Sequence, residues 1–231
     1  MDILKDFPYI EALFSCFEDS ELKSFQVISY PPKSTVVEKD QILDNIYIIL
    51  DGICGVMKPL PNGSTIIGYY MTSLDIIGMA CISSPMNRCY ATTVSITKLV
   101  VLKMSKDDFL FYHHKYPQFA LSILKNVNMR LNNALNFINN CKASTTEENI
   151  LYYLIDLYQV YRTSYPSEYR DDVKILETRQ HISDFLNIDV RSLNRYISKF
   201  KEDNMITVTK GKIYISHKQY KKILRLVSWL F

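Results

Sequence analysis

Residues 178–200 read Thr178-Arg179-Gln180-His181-Ile182-Ser183-Asp184-Phe185-Leu186-Asn187-Ile188-Asp189-Val190-Arg191-Ser192-Leu193-Asn194-Arg195-Tyr196-Ile197-Ser198-Lys199-Phe200. Ile182, Phe185 and Leu186 recur at the step of one helix face, and Thr178 stands where an N-cap belongs. Asn187-Ile188 breaks the pattern, because asparagine enters the left-handed region at low cost and so ends helices. Asp189 then caps a second helix with Leu193, Tyr196, Ile197 and Phe200 inward. Val190, Arg191, Asn194, Arg195, Ser198 and Lys199 are left outward. Two short helices around a tight turn form a helix-turn-helix, whose second helix presents hydrogen-bond donors to a groove.

Downstream, Met205-Ile206-Thr207-Val208-Thr209-Lys210-Gly211-Lys212-Ile213-Tyr214-Ile215 reads as a hairpin with a Lys-Gly-Lys tip. A hairpin behind a recognition helix is a wing, and its lysines suit a phosphate backbone, where a point charge needs little aiming. Ser216 and Gln219 cap a last helix. Charge follows the same division. From Lys174 onward there are 12 Lys and Arg against 5 Asp and Glu, leaving 15 basic against 19 acidic residues before it. A basic terminal quarter on an acidic remainder suits a polyanionic partner.

Upstream, Thr145 and Glu148 form a capping box that opens a helix to about Tyr161, followed by a polar loop at 162–172. Before it, Ala120, Leu124, Val127, Leu131, Ala134, Ile138 and Cys141 recur at alternating steps of four and three, an a/d seam. Asn126, Asn128, Asn132, Asn133, Asn136, Asn139 and Asn140 occupy the other faces and suit solvent. Such a seam needs a cover, either a second copy of the helix or the chain's own β domain. From Phe25 to Met104 the periodicity is that of short strands: Thr35-Val36-Val37, Ile46–Leu50, Ile53–Met57, Thr65–Tyr70 and Leu99–Met104. Asp51-Gly52 and Asn62-Gly63 read as hairpin turns of type I′. Ser105 and Asp108 open a short helix and Pro117 starts the long one.

Apolar residues make up 48% and charged residues 22% of the 231, as expected of a chain with a real core. The apolar runs are too short to span a bilayer, and the N-terminus lacks the basic and apolar blocks of a signal peptide, so a cytoplasmic location is expected. Cys16, Cys54, Cys81, Cys89 and Cys141 are scattered and odd in number, which argues against a disulfide framework or a tight metal site. A thiol switch at Cys16, Cys81 or Cys89 stays open, although a lone cysteine is usually a small buried hydrophobe. No Gly-rich phosphate loop, Gly-x-Ser-x-Gly or His-Glu-x-x-His occurs, so no enzyme is expected.

Thr178-Arg179-Gln180-x-Ile182, the turn, Arg195 six positions beyond Asp189 and the basic wing resemble the bacterial Crp–Fnr regulators. Asp75-Ile76-Ile77-Gly78 is similar to that family's Asp-x-x-Gly turn before its ligand loop. The resemblance implies an α+β protein: a jelly-roll-like, cyclic-nucleotide-binding-like β-roll at 1–117, a dimerisation helix at 118–143 and a winged helix-turn-helix at 144–231. It implies a homodimer joined through Ala120, Leu124, Val127, Leu131, Ala134, Ile138 and Cys141. It further implies double-stranded DNA and RNA polymerase as partners, with an inverted-repeat operator. The implied DNA contacts are Arg179, Gln180, Val190, Arg191, Ser192, Asn194, Arg195, Lys199, Lys210 and Lys212. The implied effector pocket is Gly78, Met79, Arg88, Cys89, Tyr90, Ala91, Arg130 and Ala134. A rival reading keeps the fold but has it act through protein contacts as a ligand-binding module.

The departures bear on the effector. Members that bind cyclic AMP have Glu where Met79 stands, and an Arg-Ser-Ala triplet where this chain reads Arg88-Cys89-Tyr90-Ala91. They also carry Thr-Ser where it has Ala134-Leu135. Each loss leaves a polar ligand group unpaired at a cost of roughly 1–3 kcal/mol, which argues against cyclic AMP. Clustered N-terminal cysteines for an iron–sulfur cluster are missing. No His precedes His113 and His114, so a haem ligand is missing from the β domain. No cofactor is expected. Arg191 replaces the family's usual Glu, and a guanidinium cannot accept from cytosine as a carboxylate does.

Overall fold

The structure, a computed structural model, describes residues 6–61, 63–82, 88–143, 145–163 and 172–227. It divides into two compact units, Met1–Pro59 with Gly68–Asn132, and Leu60–Ile67 with Asn133–Phe231.

The first unit is a β-roll. Strands β1 (Gln26–Tyr30), β2 (Thr35–Val37), β3 (Asn45–Asp51), β4 (Cys54–Pro59), β5 (Thr65–Met71), β6 (Ile76–Ile77), β7 (Thr93–Ser95) and β8 (Leu99–Ser105) form two sheets. Their orders are β1-β8-β3-β6 and β2-β7-β4-β5. β3 explains why its sequence is an unbroken apolar run. Successive side chains point to opposite faces of a strand, and here both faces are covered. Ile46, Ile48 and Leu50 join a core with Phe14, Leu102, Phe109, Phe119 and Ile123. Tyr47 and Ile49 join a second core with Val37, Leu43, Cys54, Leu99 and Val101. β8 divides in the same way, and its antiparallel register with β3 sets Ile48 opposite Leu102 and Ile46 opposite Met104.

Asp51-Gly52 is not the hairpin expected of it. β3 and β4 lie in different sheets, so these residues turn a corner between sheets. Only Gly52 has a positive φ, whereas a type I′ turn needs two such residues. A Cβ on Gly52 would stand 2.1 Å from the Lys98 carbonyl oxygen, which is why the corner takes glycine. Between β4 and β5 the chain does turn back within one sheet. There the Leu60 N–H donates to the Ser64 carbonyl, and Asn62 lies outside the described residues. The sequence pattern does not mark β1, β6 and β7 as strands.

Helices α1 (Glu11–Phe14), α2 (Asp19–Ser24), α3 (Met79–Ile82) and α4 (Lys106–Lys115) flank the roll. Ser105 caps α4 by accepting from the Asp108 N–H, and His113 and His114 are exposed on it. Helix α5 (Pro117–Ala143) follows at once, about 40 Å long at 1.5 Å per residue. Phe119 and Ile123 bury one of its faces, each worth about 2 kcal/mol. Asn126 continues that face by donating to the Leu74 carbonyl at 3.2 Å. The expectation that this asparagine faces solvent is corrected: it satisfies a loop carbonyl of the roll.

The second unit holds α6 (Thr146–Thr163), β9 (Asp172–Lys174), α7 (Arg179–Leu186), α8 (Val190–Glu202), β10 (Thr207–Thr209), β11 (Lys212–Ser216) and α9 (His217–Val227). The polar connection at 162–172 reads as loop in the sequence, yet its end joins β9. That strand pairs with β11, setting Lys174 opposite Tyr214. Residues 164–171 lie outside the described residues. The architecture is α+β, with a cyclic-nucleotide-binding-like roll ahead of a winged helical unit.

Candidate nucleic-acid interface and effector region

The local chemistry of 178–200 builds the helical pair. Thr178 Oγ1 accepts from the His181 N–H at 3.1 Å and opens α7. Asn187 ends it in the left-handed region, at φ 53° and ψ 47°. The Ser183 hydroxyl donates to the Ile188 carbonyl and secures the turn. Asp189 then accepts from the Ser192 N–H at 2.8 Å. Bonds from Ser192 hold its carboxyl below the usual carboxylate range, so it is charged at the positive end of the α8 dipole. Ile182, Leu193, Ile197 and Phe200 are buried. Phe185 stacks on Tyr153 with ring centroids 4.2 Å apart, anchoring α7 on α6.

With that face spent on packing, α8 presents Arg191, Asn194, Arg195 and Lys199 to solvent, with Val190 and Ser192 half-buried at its first turn. Arg195 lies over the Tyr196 ring at 5.5 Å, which restricts where the guanidinium can swing. The wing tip follows its sequence. Lys210 and Gly211 have φ of 48° and 75°, as a two-residue hairpin turn requires, and Lys210 and Lys212 are exposed.

Three of the expected contacts are less free. Lys199 Nζ lies 2.7 and 2.8 Å from the two carboxylate oxygens of Glu147, and that pairing raises its pKa. Arg179 is half-buried, and burial draws its pKa down. Gln180 donates its amide to Asp184 Oδ1 at 2.8 Å.

In the first unit, the residues expected to line an effector pocket are largely engaged by the protein itself. Gly78 has a φ of +102°, and Met79 packs against the core containing Phe109 and Phe119. The Arg88 guanidinium donates to the Asp40 carbonyl at 2.7 Å. Cys89 is buried, Ala91 half-buried, and Tyr90 stands 65% exposed. Arg130 donates to Thr72 Oγ1 at 2.8 Å and pairs with Asp75. Ala134 is exposed and belongs to the other unit.

The Asp75–Arg130 pair is absent from the sequence reading. Its signal is present all the same: Phe119, Ile123, Asn126 and Arg130 keep steps of four and three, one residue ahead of the a/d seam. Phe137 extends the series, with its ring 5.4 Å from Tyr152 and 5.9 Å from Phe185. On the seam itself Leu124, Val127, Leu131, Ala134 and Ile138 are exposed, and Ala120 is half-buried. Leu121 and Leu135 widen the exposed stripe. The Cys141 side chain lies outside the described residues.

Comparison with known proteins agrees with this layout. Residues 27–116 match the model of the cyclic nucleotide-binding domain. The transcriptional activatory protein AadR of Rhodopseudomonas palustris is 26% identical over 184 residues, 79% of this chain and 74% of its own. The chain resembles the Crp/Fnr regulators. Two solved structures share its fold. FixK2 from Bradyrhizobium japonicum aligns with a TM-score of 0.68 at 14% identity, covering 87% of this chain and 96% of that one. A CRP-family transcriptional regulator from Thermus thermophilus gives the same values. Among the described residues, no helix is long and apolar enough to cross a membrane.

Proposed function

We propose that the protein is a sequence-specific, DNA-binding regulator that acts as a homodimer on an inverted repeat. One observation carries the reading. Arg191, Asn194 and Arg195 stand exposed on a helix whose opposite face, Leu193, Ile197 and Phe200, is buried. The cap at Asp189 fixes where that helix begins. Donors on a rigid helix suit base edges in the major groove, and Lys210 and Lys212 at the wing tip suit phosphate. Residues 118–143 are the dimerisation element in this reading, because the exposed Leu124, Val127, Leu131 and Ile138 repeat the a/d step of a two-helix contact. RNA polymerase is the natural further partner of such a regulator in the cytoplasm.

The effector in this reading is not cyclic AMP, and no cofactor is proposed. Arg88 is committed to Asp40 and Arg130 to Asp75, and a guanidinium held by a protein partner must be released before it can take a cyclic phosphate. Calorimetric titration with cyclic AMP is expected to be flat.

The deciding experiment is selection of bound duplexes from a random pool, with gel shifts of the winners at graded salt. Enrichment of an inverted repeat, with affinity falling as salt rises, is expected. A pool that never converges, with no retardation of any duplex at low salt, would leave the protein-contact reading in its place.

A further inference from the structure

Cys81 and Cys89 are distant in local structure yet meet in the core of the roll. Cys81 sits on the short helix α3, where its N–H donates to the Gly78 carbonyl at 2.9 Å. Cys89 lies beside the Asp40-Gln41 turn and is held there from both sides. The Asp40 N–H donates to the Cys89 carbonyl at 2.8 Å, and the Cys89 N–H donates to the Gln41 carbonyl at 3.0 Å. The side chains turn inward, 4% and 5% exposed, and their Sγ atoms are 3.3 Å apart. Both are free thiols. Cys54 is buried in the same core, and Cys16 is half-buried against the other one.

We propose that Cys81 and Cys89 form a reversible disulfide, a redox modification site within the β-roll. The sulfurs are already in contact, so closing to a bond of about 2.05 Å asks for a small shift of one side chain. The Cys89 backbone is clamped by its two hydrogen bonds, which leaves the movement to α3. The bridge therefore ties α3 to the Asp40-Gln41 edge through Cys89. The inference concerns the roll alone and does not depend on the DNA-binding reading.

The reaction needs a two-electron thiol oxidant, and a low-molecular-weight disulfide such as oxidised glutathione supplies it. The thiolate of one cysteine attacks that disulfide, forming a mixed disulfide and releasing one glutathione thiol. The second cysteine then displaces the other glutathione. The protein loses two thiol protons and two electrons, and two glutathione thiols receive them. Burial, followed by the neighbouring Cys81 thiol, pushes the Cys89 thiol up to about 12. Few thiolates are then present at neutral pH and exchange is slow. The site is accordingly one that follows the standing glutathione ratio rather than a fast peroxide trap.

The test is an equilibrium titration of the whole chain in glutathione buffers of graded oxidised-to-reduced ratio. One series starts from fully reduced protein and another from protein oxidised during refolding. After acid quench and alkylation, non-reducing peptide mapping reads each cysteine. Cys81 and Cys89 are expected to vanish from the alkylated pool together, as one cross-linked peptide, through a single two-electron transition on which both series converge. C81S and C89S should each abolish the transition and leave the remaining cysteine alkylated or singly glutathionylated. The wild-type map stands alone if either variant fails to fold. The proposal is overturned if the two cysteines stay reduced in the most oxidising buffer, or if they glutathionylate independently without a cross-linked peptide.

Discussion

Arg130, on the long helix, pairs with Asp75, the first residue of the Asp75-Ile76-Ile77-Gly78 turn. Asp75 also accepts from the Thr72 N–H at 2.7 Å, and Arg130 reaches the Thr72 hydroxyl. The helix is thus fastened to the loop that the family resemblance assigns to ligand. The fastening is a buried carboxylate whose charge has this guanidinium as its partner.

Removing that partner leaves Asp75 uncompensated. Unpairing a fully buried ion pair costs about 3–5 kcal/mol. The Arg130 side chain is 24% exposed, so Arg130→Met is expected to cost less, about 2 kcal/mol. Burial already raises the folded-state pKa of Asp75, and Arg130 opposes the rise. An acid raised on folding contributes most below its unfolded pKa of about 4 and loses that contribution as pH climbs through its folded pKa. Without Arg130 the folded pKa rises further. The deficit of the variant should therefore be largest near neutrality and shrink towards about pH 4. Urea denaturation at the two pH values reads it, and a deficit that does not change with pH would show that Asp75 is not charge-paired.

Leu131 stands 55% exposed in the middle of the α5 seam, with Val127 and Leu124 one and two steps before it. Leu131→Asp would place a charge at the centre of the proposed helix-to-helix contact. Sedimentation at micromolar concentration should show a monomer with unchanged helix content. A variant that still sediments as a dimer would move the contact elsewhere.

Arg195 and Arg191 are expected to separate in their effects on DNA. Arg195 agrees with the family pattern and should donate twice to a guanine, so Arg195→Ala should relax preference at one base pair at a cost of about 1–3 kcal/mol. Arg191 stands where relatives of this class usually have Glu, so the half-site should depart from the family's usual core. If Arg191 reads a base, Arg191→Ala loses a similar amount at one position. If it holds phosphate, the loss is uniform and the salt slope is shallower. Binding curves on single-substitution duplexes distinguish these, and wild-type selection of an unmodified family half-site would refute the α8 register.

Gly52→Ala tests the corner between the sheets. The new methyl would meet the Lys98 carbonyl at 2.1 Å, at a φ of +93°. Strain of this kind costs about 1–3 kcal/mol before the clash is counted, and the corner cannot move without disturbing the Ile53 N–H bond to Thr97 Oγ1. A substantial drop in melting temperature is expected, whereas Gly63→Ala should be milder, since nothing lies within 4 Å of a Cβ there.

The second unit is legible in the sequence because its signals are local. Thr178, Asp189 and the Ser216–Gln219 pair cap helices through residues three positions away. Asn187 ends a helix by its own backbone preference. β9 escapes such a reading because three residues, Asp172–Lys174, carry no alternation of their own and become a strand only by pairing with β11. The roll is legible as a class and not in its connections. Asp51-Gly52 has the composition of a hairpin turn, but the pairing of β3 with β8 and of β4 with β7 depends on residues far along the chain. The contacts of Asn126 and Arg130 are hidden for a related reason. Their partners, Leu74 and Asp75, lie in another part of the chain, and polar residues on a helix look solvated until the far partner is known.

The Lys199–Glu147 pair bears on how a regulator of this kind finds its site. A protein scanning a genome is slowed by every cation that grips random phosphates, because each must be released before the next step. Lys199 arrives with its charge already answered by a carboxylate of its own unit, so it adds little to that indiscriminate grip. In the proposed DNA-binding role a phosphate must compete with Glu147 for Lys199, so this lysine is expected to add less to nonspecific affinity than the exposed Lys210 and Lys212.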